Sequence, residues 1–306
     1  MPQELQEWLP RNEILTYEET LRLMRVAAEL GVSKIRITGG EPLTRRGIVD
    51  FVRQIPEIPQ ITSIGLSTNG TLLAREIAPA RTMAEALREA GVQSLNISLD
   101  TLDSVVYSQI TSRDFHAQAL GGIDAAINAG FDQIKLNAVL MRGRNEDQLL
   151  PLIEFAAARQ LLLRFIEMMP VSTTEVLNES NFMSVMQAKR LVESAYGSLI
   201  PETDFRTNGP ASYYQIPGRA QRIGFIGAIT NMHFCDNCNK LRLTCDGKLR
   251  PCLGSYLEFD IMAPLRAGAS DEELKQFFLD VVDRKPREHD FRDNYQPNRK
   301  MIAIGG

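Results

Sequence analysis

Short apolar or alternating runs recur along the first half of the chain: KIRIT (34–38), ITSIGLS (61–67), SLNISLD (94–100), IKLNAVL (134–140) and LLLRFIEMM (161–169). Their length and their β-branched content predict strands. Helical patterns lie between them. The first begins at Thr16, where Thr16 and Glu19 form a capping box, and Leu21, Met24, Ala28 and Val32 recur at the spacing of a helix packed on a sheet. GVSKIRI, GVQSLNI and GFDQIKL each place a glycine between helix and strand, where a C-terminal helix stop belongs. Strands alternating with helices predict parallel β/α units. Five units are visible, fewer than the eight of a closed barrel.

The strands carry a second pattern. Lys34, Arg36 and Thr38 share one face of their strand; Asn96, Ser98 and Asp100 share a face of the third; Lys135 and Asn137 share a face of the fourth. A parallel strand covered on both sides reads as almost wholly apolar. These read as half polar, so one face packs under helices and the other lines a cavity or ligand site. Arg36 and Lys135 then suggest an anionic ligand, because an unpaired buried charge is costly. Solvent-facing strands or internal ion pairs are the alternative. In RFIEMM, strict alternation sets Arg164 and Met169 on opposite faces, which leaves a bulge or a strand end open there.

Beyond residue 170 the period fades. A helix is predicted over 182–196 and another over 270–282, with turns and short strands between and a polar tail ending in RKMIAIGG. EIAPARTM (76–83) reads as a helix or loop insertion. The expected division is a β/α domain over 1–200 and an appended region over 201–306.

The 306 residues carry a net charge of −4, which argues against a broad nucleic-acid or membrane surface. No apolar run reaches a membrane-spanning length, and the first residues do not read as a secretory signal. The expectation is a reducing cytoplasm, where clustered cysteines more often bind metal than pair. All four cysteines fall in FCDNCNKLRLTCDGKLRPC (234–252). Cys235 and Cys238 form C-x2-C, and Cys245 and Cys252 follow. A four-cysteine zinc site has tetrahedral thiolate chemistry in its favour, although C-x6-C is wider than the usual knuckle. An iron–sulfur cluster on three thiolates, with one iron open, fits the spacing equally well. Lys240, Arg242, Lys248 and Arg250 lie within this stretch, charge that suits an anionic substrate beside the metal. TGGEP (38–42) and STNG (67–70) add two turns at the C-terminal ends of neighbouring parallel strands, where β/α proteins place ligands.

RITGGEPLTRRG, STNGTLL, LNISLD, IKLNAVL, RFIEMM and the cysteine stretch, in this order, resemble the radical S-adenosylmethionine GTP 3',8-cyclase family of molybdenum cofactor biosynthesis. The resemblance implies a partial (β/α)6, TIM-like barrel closed by a C-terminal iron–sulfur region. It implies that Cys235, Cys238 and Cys252 hold a [4Fe–4S] cluster whose open iron meets the guanine of GTP, with Cys245 a bystander. Gly40, Ser98 and Met169 match contacts to S-adenosylmethionine. Arg36, Ser67, Lys135, Lys240, Leu241 and Arg242 match contacts to GTP. Gly305 and Gly306 match a tail that reaches the active site. Implied partners are GTP, cyclic pyranopterin monophosphate synthase as the next enzyme, and a reductant such as flavodoxin or ferredoxin, with a homodimer possible; neither nucleic acid nor membrane is among them.

Departures from the family pattern accompany these matches. Ser67 stands where Thr is usual, and Lys240 where Arg is usual, a point charge in place of a bidentate fork. The family opens with a strand and C-x3-C-x2-C, whose thiolates hold the cluster that cleaves S-adenosylmethionine. This chain begins MPQE, and its cysteines all lie near the other end. The expectation is therefore a chain lacking the first barrel strand, with KIRIT at a sheet edge, and lacking the radical-generating ligands. A start placed downstream of the true one, with an active cyclase, and a degenerate nucleotide- or partner-binding relative both fit this. A zinc-ribbon adaptor is the third possibility.

Overall fold

A computed structural model describes residues 9–171, 180–292, 295, 297–299 and 301–304. Helix α1 (Tyr17–Glu29) starts at the expected capping box: Glu19 N donates to Thr16 Oγ1 at 3.1 Å and Thr16 N to Glu19 Oε2 at 2.8 Å. Strand β1 (Lys34–Ile37), helix α2 (Ile48–Gln54) and strand β2 (Ser63–Thr68) follow. Then come the short strands β3 (Glu76–Ala78) and β4 (Arg81–Thr82), helix α3 (Met83–Glu89) and strand β5 (Ser94–Ser98). Helices α4 (Ser104–Thr111) and α5 (His116–Asn128) precede β6 (Gln133–Leu140), α6 (Leu149–Ala158), β7 (Leu162–Glu167) and α7 (Val185–Tyr196). The remainder holds β8 (Ile200–Pro201), β9 (Ser212–Gln215), β10 (Arg222–Ile226), β11 (Arg242–Leu243), β12 (Lys248–Arg250), β13 (Phe259–Asp260), α8 (Met262–Arg266), α9 (Asp271–Asp283) and α10 (Met301–Ile304). Gly31 and Gly91, at φ of 96° and 106°, end α1 and α3 in the left-handed region that favours glycine.

The main sheet has eight strands in the order β1-β2-β5-β6-β7-β10-β9-β8. The run from β1 to β10 is parallel, and β9 and β8 add antiparallel. This is the partial β/α barrel expected, with β1 at one edge. The sheet does not stop near residue 200. Strands β8, β9 and β10 continue it, and β10 supplies a sixth parallel strand. Short strands were expected in this stretch, but not that they extend the main sheet. Within the expected helix or loop insertion, residues 76–82 form a two-stranded ribbon, and α3 starts directly after it. Strand β7 ends at Glu167, so Met169 lies beyond the strand and outside its alternation.

The main core fills the space between the sheet and its helices. Leu66, Leu95, Ile97, Leu136, Leu163 and Phe165 from the strands are fully buried against Val52, Leu87, Ile123 and Ile153 from the helices. A second core lies on the other side of α1. There Leu15, Leu23, Val26 and Ala27 pack with Leu249, Ile261 and the α9 residues Leu274, Phe278 and Val281. Helix α1 is thus shared, with Leu21 and Ala28 in the first core, and it joins the C-terminal region to the barrel. At the N-terminal end of β1, Lys34 Nζ donates to Asn208 Oδ1 at 2.8 Å, tying that edge to the segment between β8 and β9.

Helix α5 approaches the STNG turn closely. A Cβ at Gly122 would lie 1.9 Å from the carbonyl oxygen of Gly70, which is itself at φ 81°. Backbone cannot move aside as a side-chain tip can, so Gly122→Ala is expected to destabilise the fold by about 2–3 kcal/mol. Gly121→Ala, with open space at its Cβ, should gain up to about 1 kcal/mol. Urea unfolding of the two variants separates these outcomes; equal midpoints would contradict the close approach.

Candidate functional site

The parallel register aligns the polar positions in rows on one face of the sheet. Arg36 pairs with Gly65, and Gly65 with Ser94. Ser67, Asn96 and Lys135 form the next row, and Ser98, Asn137, Arg164 and Gly224 the one beyond. Arg36 and Lys135 therefore share a face, as the alternation implied, and Arg164 joins them. A Cβ at Gly65 would meet Arg36 Nη2 at 2.6 Å. Its absence lets the guanidinium lie across the sheet toward Leu66 O and Ser94 Oγ, each at 3.4 Å. Arg164 donates from Nε and Nη2 to Asn137 Oδ1 at 2.9 and 2.7 Å. Asn96 Nδ2 reaches Ser67 Oγ at 3.4 Å, while Asn96 Oδ1 is buried without a partner among the described residues.

Arg36, Lys135 and Arg164 make no ion pair among the described residues. Burial first, then Arg164 and Arg36, push the Lys135 ammonium down to about 7. Burial and then Arg164 push Arg36 down to about 10. Arg164 is lowered by burial, with Tyr213 opposing the shift. Desolvated like charges of this kind call for an anion.

At the C-terminal ends of the strands, Glu41 joins the two turns. Its Oε1 accepts from Leu43 N at 3.1 Å and Thr68 Oγ1 at 2.8 Å, and its Oε2 from Asn69 N at 2.7 Å. Burial raises its carboxyl above the ordinary range, against those same hydrogen bonds. Gly40 and Ser98 are exposed on this rim. Met169 packs beside Phe234 and Leu253 around Ala228, Phe291 and Tyr295.

In the cysteine stretch, Cys238 N donates to Cys235 O at 3.0 Å, closing a tight turn. Cys252 is raised by burial first, with the charges of Cys235 and Cys238 adding to it. Burial first and then Asp246 raise Cys245, with Arg45 and Arg299 opposing, and its carbonyl accepts from Leu15 N at 2.8 Å. Cys252 thus lies in the field of Cys235 and Cys238. Among the described residues no group of three or more His, Cys, Asp or Glu is placed to hold a metal ion. Thiols are the donor type that an iron–sulfur group takes.

The same stretch brings its charges to the barrel. Lys240 is lowered by desolvation; Cys238 opposes that, and Arg242, Lys285 and Arg36 add to it, so it lies within the field of the β1 arginine. Burial lowers Arg242, which Cys252 and Cys238 hold up, and its Nη1 reaches Ile304 O at 3.5 Å. Leu241 packs against the second core. Gly305 and Gly306 lie outside the described residues. Arg164, Asn137, Asn96 and Glu41 complete the constellation although they were not among the expected site residues. For Arg164 the signal was its place in a strand that alternates, masked by an assumed continuation to Met169.

The family model described as "Radical SAM superfamily" matches residues 5–156, and "Molybdenum Cofactor Synthesis C" matches residues 161–291. The chain is 40% identical over 306 residues to a GTP 3',8-cyclase of Pelotomaculum thermopropionicum, covering 100% of this chain and 92% of that one. It is 42% identical over 295 residues to a GTP 3',8-cyclase of Moorella thermoacetica, covering 96% and 88%. Among solved structures it resembles Streptococcus suis SuiB bound to S-adenosylmethionine, with a TM-score of 0.57 at 16% identity, over 92% of this chain and 60% of that one. At that identity the likeness concerns the fold.

Lys135 gives this site a pH signature. Its folded value of about 7 lies below the ordinary 10.5. Between those values the unfolded chain holds a proton that the folded chain lacks, so stability rises with pH through this window. The penalty is fully present below about pH 7. Lys135→Met is expected to be more stable than the parent near pH 6, with a lead that shrinks by on the order of 1 kcal/mol per pH unit above about pH 7. Urea titrations at both ends of the window test this, and a pH-independent difference would count against it.

Proposed function

The chain belongs to the GTP 3',8-cyclase family of radical SAM proteins, and from that premise we propose that it is a GTP 3',8-cyclase of molybdenum cofactor biosynthesis whose GTP site is the polar sheet face together with the cysteine stretch above it. The reaction joins ribose C3' to guanine C8. The observation that carries the site is the set of desolvated cations, Arg36, Lys135 and Arg164, without an ion-pair partner among the described residues, approached by Lys240 and Arg242 from the cluster loop. In this reading Arg36, Lys135, Lys240 and Arg242 hold the triphosphate. Ser67 offers a hydroxyl, and Leu241 positions the two cations beside it. Cys235, Cys238 and Cys252 hold a [4Fe–4S] cluster that leaves one iron for the guanine. Gly40, Ser98 and Met169 hold S-adenosylmethionine at the rim, and Gly305 and Gly306 act in catalysis. When bound, S-adenosylmethionine would supply the one-electron chemistry that starts ring closure, together with a cluster on ligands other than Cys235, Cys238 and Cys252. The protein's residues orient the nucleotide, exclude water and neutralise phosphate charge. A reductant of flavodoxin or ferredoxin type and cyclic pyranopterin monophosphate synthase downstream belong to the same proposal, as does a homodimer.

No helix among the described residues is long and apolar enough to cross a membrane. The match to curated cyclases along the chain does not favour a zinc-ribbon adaptor or a non-catalytic relative.

Two measurements test the reading. After anaerobic reconstitution, the chain should hold about four irons. Cys235→Ser and Cys252→Ser should lose most of them and Cys245→Ser should lose none. Zinc in place of iron, or iron that depends on Cys245, would overturn the assignment. Calorimetric titration with GTP near pH 8, in buffers of different ionisation enthalpy, should show net proton uptake, because a bound triphosphate raises the depressed Lys135 toward its ordinary value. Lys135→Met should abolish that uptake. Uptake that survives this change would place the phosphates elsewhere.

A further inference from the structure

The loop from β10 to Cys235 is gripped from two sides. From β7, Glu167 is 1% exposed and accepts four hydrogen bonds. Ile229 N and Thr230 N donate to Oε2 at 3.0 and 3.1 Å, Val185 N donates to Oε1 at 2.9 Å, and the Thr230 hydroxyl donates to Oε1 as well. From the C-terminal segment, His289 Nε2 donates to Ala228 O at 2.7 Å. Arg292 donates from Nε to Ile229 O at 2.9 Å and from Nη2 to Asn231 O at 2.7 Å. Asn231 Oδ1 then accepts from His233 N at 3.0 Å, two residues before the first cysteine. The small core beneath contains Phe234 and Leu253, the neighbours of Cys235 and Cys252, together with Met169.

This arrangement exceeds what holding a loop requires. A buried carboxylate is tolerated when its lone pairs are filled, and here backbone N–H groups and one hydroxyl fill them. Those donors come from the start of α7 and from the cysteine loop, while Glu167 itself ends the strand that leads to Met169. One carboxylate therefore fixes the loop bearing two thiols against the strand end beneath Met169, and the C-terminal segment fixes the carbonyls of that same loop.

We propose that Glu167, with His289 and Arg292, is the positioning device of the C-terminal iron–sulfur centre: it sets the Cys235–Cys238 pair against Cys252 and couples that pair to the end of β7. The proposal rests on the reading that these three thiols hold a cluster. In this proposal none of the three is a ligand of the cluster; they act through the loop backbone.

The test follows iron release from the reconstituted full chain to a chelator, alongside thermal unfolding. Glu167→Gln keeps the size of the side chain but turns one oxygen into a donor facing donors. It should speed release by roughly tenfold to a hundredfold, the scale of outer-shell effects at metal sites. His289→Gln can still donate to Ala228 O and should release slowly, whereas His289→Ala should release fast. Arg292→Gln gives an independent reading if Glu167→Gln folds poorly. Gly122→Ala, destabilised far from the loop, is the control and should keep parent-like release. A parent chain that takes up no iron sinks the cluster reading itself. A parent that holds iron, with Glu167→Gln releasing at the parent's rate or no faster than Gly122→Ala at matched stability, sinks the positioning role alone.

Discussion

Arg36, Lys135 and Arg164 crowd one face of a sheet whose opposite face is the main core, and their mutual repulsion is the constraint around which the site is built. Desolvation and like charge both act against the folded state. The packed face offsets them: side chains such as Leu66, Ile97, Leu136 and Phe165 are fully buried there, each contributing about 1.5–3 kcal/mol. Neutral groups organise the cations without neutralising them. Asn137 orients Arg164, Gly65 makes room for Arg36, and Asn96 leaves an acceptor unfilled. The result is a sheet face whose charge is not spent on ion pairs among the described residues.

Much of this was legible in the sequence because strand alternation is a local rule. Arg36 and Lys135 could be placed on one face from KIRIT and IKLNAVL alone, and the capping box at Thr16 fixed the start of α1. Other features were hidden because they depend on distant segments. Strand β10 belongs to the sheet because β7 and β9 lie on either side of it. Spacing treats Cys245 as another donor, and only the family resemblance set it apart from Cys235, Cys238 and Cys252. Glu167 looked like one more polar residue in RFIEMM, and its meaning comes from backbone groups some sixty residues further on.

The C-terminal region is fastened by charge as well as by packing. Arg250 is fully buried and donates to Glu258 Oε2 and to Ser255 O, each at 2.6 Å. Arg299 spans Glu258 and Asp246, which brings the end of the described chain onto the β11–β12–β13 sheet. Lys285 Nζ donates to Lys240 O at 2.9 Å. Fixing Lys240 and the tail through separate contacts lets the cysteine stretch stay largely irregular and still hold its cations over the barrel.

The shared position of α1 has a consequence for how the molecule is made. Its second face packs on α9, and Arg22 bonds to Asp271 across a separation of 249 residues. At translation rates of roughly 5–20 residues per second, α1 emerges tens of seconds before its partner exists. During that interval Leu23, Val26 and Ala27 have no native neighbours to cover them, even though the helix is capped and ready. The barrel units can assemble in order behind the ribosome, but the segment that starts the fold is among the last to be enclosed. Synthesis of this chain therefore passes through a long-lived state with an open apolar stripe near its beginning.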